Sequence, residues 1–278
     1  MQDSFPEAAE LLAHIEAAAI EAAALIRGRA VDRTSIEWQS KSATDFVSEV
    51  DLGSERIIRA ALMTAYPDAE ILGEELSPDS EPTADVVFIV DPLDGTTNFL
   101  HGFHEYAVSI AASVRGALVA GVILDVPTGD RYTAMAGSGA HLNGERISVS
   151  RIEDPSRALI GTGFPFGSNA SLDLYLRHFA AVAPHTAGMR RPGSAALDLA
   201  HVACGHFDAF WELSLLPWDF AAGVLLVREA GGVVTTVRGD AHIPMAHGSL
   251  LAGNPAMHRW LASTLAAATP ADAGLQLH

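Results

Sequence analysis

The run Val86-Val87-Phe88-Ile89-Val90 passes without a polar break into Asp91-Pro92-Leu93-Asp94-Gly95-Thr96-Thr97-Asn98. A continuous apolar run bounded in this way reads as a buried strand, and such strands commonly present ligands at their carboxyl ends. Asp91 and Asp94, three residues apart, therefore stand where a site would be expected. Gly95, Thr96 and Thr97 open a helical turn whose first N–H groups lack a helical partner and can hold an anion. Carboxylates suited to hard cations, beside amides suited to phosphate, point to metal-assisted phosphoryl chemistry. Asp and Gly also favour turns, so the octet alone is compatible with an ordinary acidic turn.

Two further segments narrow the choice. Gly73-Glu74-Glu75 follows the strand-like run Ala69-Glu70-Ile71-Leu72. In Trp218-Asp219-Phe220-Ala221-Ala222-Gly223 a Pro-bounded loop turns into an apolar helix. Taken singly, Glu74 and Glu75 fit a solvated loop, and Asp219 fits a helix N-cap, a role worth about 1 kcal/mol. All three segments in this order are hard to attribute to chance.

At 278 residues and 49% hydrophobic, the chain can bury a large core and reads as a folded globule rather than a disordered chain. The pattern divides near Ser150, into an α+β half over residues 1–150 and an α/β half over 151–278. The first half holds a long helix over 6–27, a helix near 52–65, and strands near 106–114, 118–126, 131–135 and 140–149. Asn143-Gly144 is a strong hairpin signal within this antiparallel meander. The second half alternates helices at 173–182, 195–204, 220–229 and 255–266 with short strands at 159–161, 209–212, 233–235 and 249–252.

A net charge of −17 argues against a broad nucleic-acid-binding face, and would repel a phosphate unless divalent cations reverse the local sign. The N-terminus lacks the basic start and uncharged apolar centre of a signal peptide, and no uncharged stretch is long enough to span a bilayer. A cytoplasmic protein with no membrane or nucleic-acid partner is the expectation. The single Cys204 excludes an internal disulfide framework, and its place after Ala200-His201-Val202-Ala203 predicts a buried, inert thiol. The twelve His residues show no H-E-x-x-H spacing, so none is assigned a metal.

Together these segments resemble the inositol monophosphatase family. The likeness rests on Gly73-Glu74-Glu75, the run from Asp91 to Phe99 and the run from Trp218 to Gly223. Residues 41–51, Lys41-Ser42-Ala43-Thr44-Asp45-Phe46-Val47-Ser48-Glu49-Val50-Asp51, resemble the family's mobile catalytic loop. Gly193-Ser194-Ala195-Ala196-Leu197-Asp198-Leu199-Ala200 resembles its substrate-side helix, and the likeness extends from about Lys41 to Gly232.

The resemblance implies a layered α-β-α-β-α sandwich and a Mg²⁺-dependent phosphate monoesterase acting on a small phosphorylated polyol. It also implies two or three Mg²⁺ ions, a homodimer and sensitivity to lithium. Glu74, Asp91 and the Leu93 carbonyl would hold one ion, and Asp91, bridging, with Asp94 and Asp219 would hold another. Thr96 and Asp51 are candidates to position and deprotonate the attacking water, with Glu75 orienting Thr96 from behind. The Gly95 and Thr96 amides would hold phosphate oxygens. The Glu212 carboxylate and the backbone of Gly193, Ser194 and Ala195 would hold polyol hydroxyls.

Lys41 is an optional member of the site, Gly161-Thr162-Gly163-Phe164-Pro165-Phe166 reads as a loop beside the pocket, and Arg190 with Arg191 reads as an interface or helix-supporting pair. Inositol 1-phosphate is the favoured substrate, with histidinol phosphate, a sugar bisphosphate or a nucleotide-derived phosphate as alternatives in the same family. A regulatory scaffold that keeps the fold is a further alternative. The haloacid dehalogenase type uses Asp-x-Asp-Gly-Thr, whereas here two residues separate Asp91 from Asp94.

Overall fold

Helix α1 (Ala8–Arg29) buries Leu11, Ile15, Ala18, Ala19, Ala22 and Ile26 along one face, the spacing of an amphipathic helix. Strands β1 (Trp38–Ser40) and β2 (Phe46–Ser48) pair antiparallel and lead into α2 (Glu49–Ala65). A capping box between Ser48 and Asp51 closes the N-terminus of α2. There follow β3 (Glu70–Gly73), β4 (Val86–Asp94) and the short helix α3 (Thr96–His101). Then come β5 (Ala107–Val114), β6 (Ala117–Asp125), β7 (Arg131–Met135), β8 (Gly139–Leu142) and β9 (Glu145–Arg146). Strands β3 to β9 lie side by side in chain order, β3 parallel to β4 and the rest antiparallel. This computed structural model describes residues 7–40, 46–164, 169–243 and 245–270.

The large sheet is covered on both faces, which is why β4 is apolar from Val86 to Val90. Phe88 and Val90 enter the core beneath α1 and α2, while Val87 and Ile89 face the opposite core. In β5, Val108, Ile110 and Ala112 take the first side and Ala107 and Ala111 the second, the two-residue period of a strand.

The second half contributes β10 (Leu159–Thr162), α4 (Asn169–Val182), β11 (Gly188–Arg190), α5 (Ala195–Ala203) and β12 (Ala209–Leu215). It ends with α6 (Pro217–Glu229), β13 (Val233–Thr235), β14 (Gly248–Gly253) and α7 (Pro255–Ala268). Its sheet has the order β11-β10-β12-β14-β13, with β10 parallel to β11 and β12, and β14 antiparallel to β12 and β13.

Helix α6 packs on β4 to β7 and also touches β13 and β14, while α5 packs on α6 and reaches β12 and β14. These two helices form the middle layer, with α1 and α2 outside one sheet and α4 and α7 outside the other. The architecture is the expected α-β-α-β-α sandwich. Leu72, Ile89 and Ala107 of the first half share one core with Leu199, Phe220, Leu226 and Leu250 of the second.

The strand expected over 140–149 is two strands, β8 and β9, folded about Asn143 (φ 52°) and Gly144 (φ 87°). Both residues are left-handed, as a tight hairpin of right-twisted strands requires. Strands β1, β2 and β11, three residues each, are additions to the strands expected from the sequence. Among the described residues no helix is long and apolar enough to cross a membrane.

Candidate active site

Strand β4 pairs regularly with β5 as far as Asp91↔Ser109, then shifts register before Asp94↔Ala107. Pro92 sits in the irregularity and cannot donate to the ladder. The distorted segment is pinned by Leu93 N–H donating to Asp91 Oδ1 (3.0 Å) and by Ser54 Oγ donating to the Pro92 carbonyl (2.8 Å). Asp91, Leu93 and Asp94 thereby line a cavity of about 680 Å³, together with Glu74, Gly95, Thr96, Glu212 and Asp219.

Parallel pairing of β3 with β4 sets Gly73 beside Val90, and Glu74 N–H donates to the Val90 carbonyl (3.1 Å), so Glu74 is delivered next to Asp91. The following turn is hooked by the buried Glu55, whose carboxylate accepts from the N–H groups of Glu75 (2.7 Å) and Leu76 (3.2 Å). Asp219 is the third residue of α6 rather than its N-cap, and its Oδ2 accepts from Leu216 N–H (2.7 Å). Asp94 Oδ2 accepts from Ser194 Oγ (2.6 Å) and Ala196 N–H (2.7 Å) at the start of α5.

Thr96 Oγ1 is placed to donate to Asp51 Oδ1 (2.7 Å) and to the Leu93 carbonyl (3.0 Å). The other oxygen of the fully buried Asp51 accepts from Ser48 N–H (2.9 Å) and Ser48 Oγ (2.5 Å). Capping accounts for the Ser48 contacts, but not for the bond to Thr96, 45 residues away in sequence. Gly95 has φ 90°, and a Cβ there would stand 2.7 Å from the Glu105 carbonyl, so the position requires glycine. Among the described residues no side chain caps α3, whose first-turn amides can serve a ligand or water.

Burial, followed by the charges of Glu74, Asp94 and Asp219, pushes the Asp91 carboxyl well above the usual carboxylate range. Burial raises Asp94 to about 6 against the lowering hydrogen bonds from Ser194 and Ala196. Glu212 and Asp198 are both pushed well above the ordinary range, first by burial, then by Asp219 for Glu212 and by Glu212 for Asp198. Asp198 Oδ1 is buried with no hydrogen-bond partner among the described residues. Mutual repulsion of this kind is what bound cations relieve. The donor set fits such ions, being all oxygen, carboxylates with the Leu93 carbonyl beside them, as hard divalent cations prefer.

Around the rest of the cavity, Glu212 lies in β12 beside Gly163, where even a methyl group would collide with its carboxylate. Phe164 also lines the cavity, and Arg191 stacks over its ring at 4.8 Å. The expected arginine pair is split: Arg191 reaches the cavity wall, where its charge lowers Glu212, while Arg190 is exposed and donates to the Met189 carbonyl. Gly193, Ser194 and Ala195 line the cavity. Glu75 is not among the lining residues; its backbone is held by Glu55, and the carboxylate that holds Thr96 is Asp51. Lys41, Pro165 and Phe166 lie outside the described residues.

Cys204 departs from the inert core thiol expected of it. It is only half-buried, at the C-cap of α5, beside His201 and His206. The reason is local: α5 stops at Ala203, so Cys204 belongs to the turn rather than to the buried helix.

An acidic cavity admits a phosphate only with cations in it, and the oxygen donors here are of the kind that hold them, which is the layout of a metal-dependent phosphatase. The sequence profile of the inositol monophosphatase family matches residues 7–269, and the chain belongs to that family. It is 46% identical over 242 residues to the Nus factor SuhB of Pseudomonas aeruginosa, covering 85% of this chain and 89% of the relative. It is 44% identical over 220 residues to the inositol-1-monophosphatase of Rhizobium meliloti, covering 79% and 82%. The crystal structure of the extragenic suppressor protein suhB from Bartonella henselae superposes with a TM-score of 0.86 at 39% identity, over 92% of this chain and 98% of that one.

Proposed function

We propose that this protein is a Mg²⁺-dependent phosphatase of inositol 1-phosphate, working by direct attack of water. The observation that carries the reading is the Thr96 hydroxyl, held between Asp51 Oδ1 and the Leu93 carbonyl at the edge of the carboxylate cavity. A hydroxyl combines one proton with two acceptor lone pairs, so Thr96 Oγ1 can accept from a water while handing a proton toward Asp51. Burial raises Asp51 above its ordinary range, which makes it a better proton acceptor, while the Ser48 and Thr96 bonds oppose that rise. The amides that open α3 hold the phosphate oxygens without reorganising as charge develops. Glu212 and the N-terminal turn of α5 accept and donate to the polyol hydroxyls.

Two or three Mg²⁺ ions, held by Glu74, Asp91, the Leu93 carbonyl, Asp94 and Asp219, would supply positive charge for the phosphate and acidify the attacking water. The name of the Rhizobium meliloti relative supports the substrate. A dimer in solution belongs to the same proposal. The test is Mg²⁺-dependent phosphate release from inositol 1-phosphate, histidinol phosphate and fructose 1,6-bisphosphate. Preference for the first, lost in Asp94→Asn and weakened in Glu212→Gln, is expected. Turnover of another ester instead would discard the polyol pocket and keep the hydrolytic mechanism.

The Pseudomonas aeruginosa relative, named as a Nus factor, favours a second reading in which the same fold also serves a partner. Absence of turnover on all three esters would bring that reading forward.

A further inference from the structure

Among the described residues, His201, Cys204 and His206 bring three potential ligand atoms within 4.8 Å of one another. Their convergence follows from the way α5 ends. Gly205 has φ +79°, its N–H donates to the Val202 carbonyl (3.2 Å), and His206 N–H donates to the His201 carbonyl (2.9 Å). This is the Schellman pattern, which brings the residue three before the C-cap Cys204 beside the residue two after it. Apolar side chains commonly meet across that turn, whereas here two imidazoles do, with a thiol between them in sequence.

His201 Nδ1 and His206 Nδ1 face each other at 3.2 Å. On a tetrahedral ion with metal–nitrogen bonds of 2.0–2.1 Å, two nitrogens sit about 3.3–3.4 Å apart, so little movement is needed to seat both on one ion. The other nitrogen of His201 lies 3.4 Å from Glu105 Oε1, a buried oxygen with no hydrogen-bond partner among the described residues. A carboxylate behind a histidine is the arrangement that orients a metal-bound imidazole and raises its basicity.

We propose that His201 Nδ1, Cys204 Sγ and His206 Nδ1 form a second metal site, for Zn²⁺ or an ion of similar softness. Two imidazoles and a thiolate select such ions over Mg²⁺, which prefers oxygen. His206 is exposed, so the cluster reaches the protein surface. The site is distinct from the carboxylate cavity: α5 spans nine residues, which sets its two ends roughly 13 Å apart.

The experiment is a Co²⁺ titration of the full-length protein in excess Mg²⁺, followed through the near-ultraviolet thiolate-to-cobalt charge-transfer band and competed with Zn²⁺. Saturation at one equivalent is expected, with displacement by Zn²⁺ and loss of the band in Cys204→Ser. Glu105→Gln should weaken binding by about 10–100-fold, and the exposed ligand variant His206→Gln by at least as much. Absence of the band would overturn the site. So would a band whose affinity is unmoved in both His206→Gln and Glu105→Gln, since that would mean the thiol binds the ion without the imidazoles.

Discussion

At its N-terminus α5 receives the Asp94 carboxylate through Ser194 Oγ and the Ala196 N–H, and at its C-terminus it carries two imidazoles and a thiol. Both ends obey the helix dipole, which favours an anion at the start and a cation at the finish. They differ in how they are assembled. Asp94 comes from β4, 100 residues before Ser194, and meets the helix only because α5 lies between the two sheets. The thiol and imidazoles come from one turn and meet because the backbone of that turn closes on itself. A site assembled at long range inherits the rigidity of the core, while one assembled locally needs only its turn.

The largest effect that would break this contrast is expected at the N-terminal end. Asp94→Asn should lower kcat by on the order of 10³-fold, since several kcal/mol of barrier reduction is at stake, with the fold intact by circular dichroism. Comparable activity in the variant would remove Asp94 from the metal set. Thr96→Val should cost on the order of 10²-fold or more in kcat with little change in KM, and Thr96→Ser should recover most of it. Equal loss in both variants would point to packing rather than to the hydroxyl. Glu212→Gln should lower kcat/KM for the polyol ester by about 10–100-fold, the value of a hydrogen bond to a charged group. A phenyl ester, lacking the hydroxyls, should be affected much less.

A pH series sharpens the electrostatic side of the comparison. Asp94 rises from 3.8 to about 6 in the folded protein, and Asp91 and Glu212 rise as well. Groups raised on folding contribute stability that is complete below their unfolded values and is lost as pH rises through their folded ones. Without divalent ions, Tm should therefore decline from about pH 4 through pH 6, by roughly 2–4 °C for each kcal/mol involved. Excess Mg²⁺ should flatten the decline, and an identical slope with and without it would separate the carboxylates from cation binding. The smallest effect is expected for Ser194→Ala, about 1 kcal/mol from the lost N-cap of α5, measured by denaturant unfolding.

Legibility from sequence followed the reach of each signal. The meander strand at Arg131–Met135 was bounded correctly because alternation and flanking turns are local. Glu55 was missed, although it had a signal: Asp51, Ser54 and Glu55 fall at i, i+3 and i+4 of α2, all buried, where an amphipathic helix would carry apolar residues. Their partners, Thr96, the Pro92 carbonyl and the Glu75 amide, explain the exception. The cluster at His201, Cys204 and His206 has no helical H-E-x-x-H spacing to mark it in the sequence, because these residues meet across the turn that ends α5.

By itself the sequence determined the apolar run that must be buried on both faces, the acids at its end and the family those segments belong to, because side-chain chemistry and short-range periodicity are properties of neighbouring residues. Tertiary structure alone decided that Asp51 holds Thr96, that Arg191 and not Arg190 lines the cavity, and that Glu105 stands behind His201. Those pairings join residues far apart in the chain, and the distances between such residues are set by how helices and sheets pack, which no local pattern records.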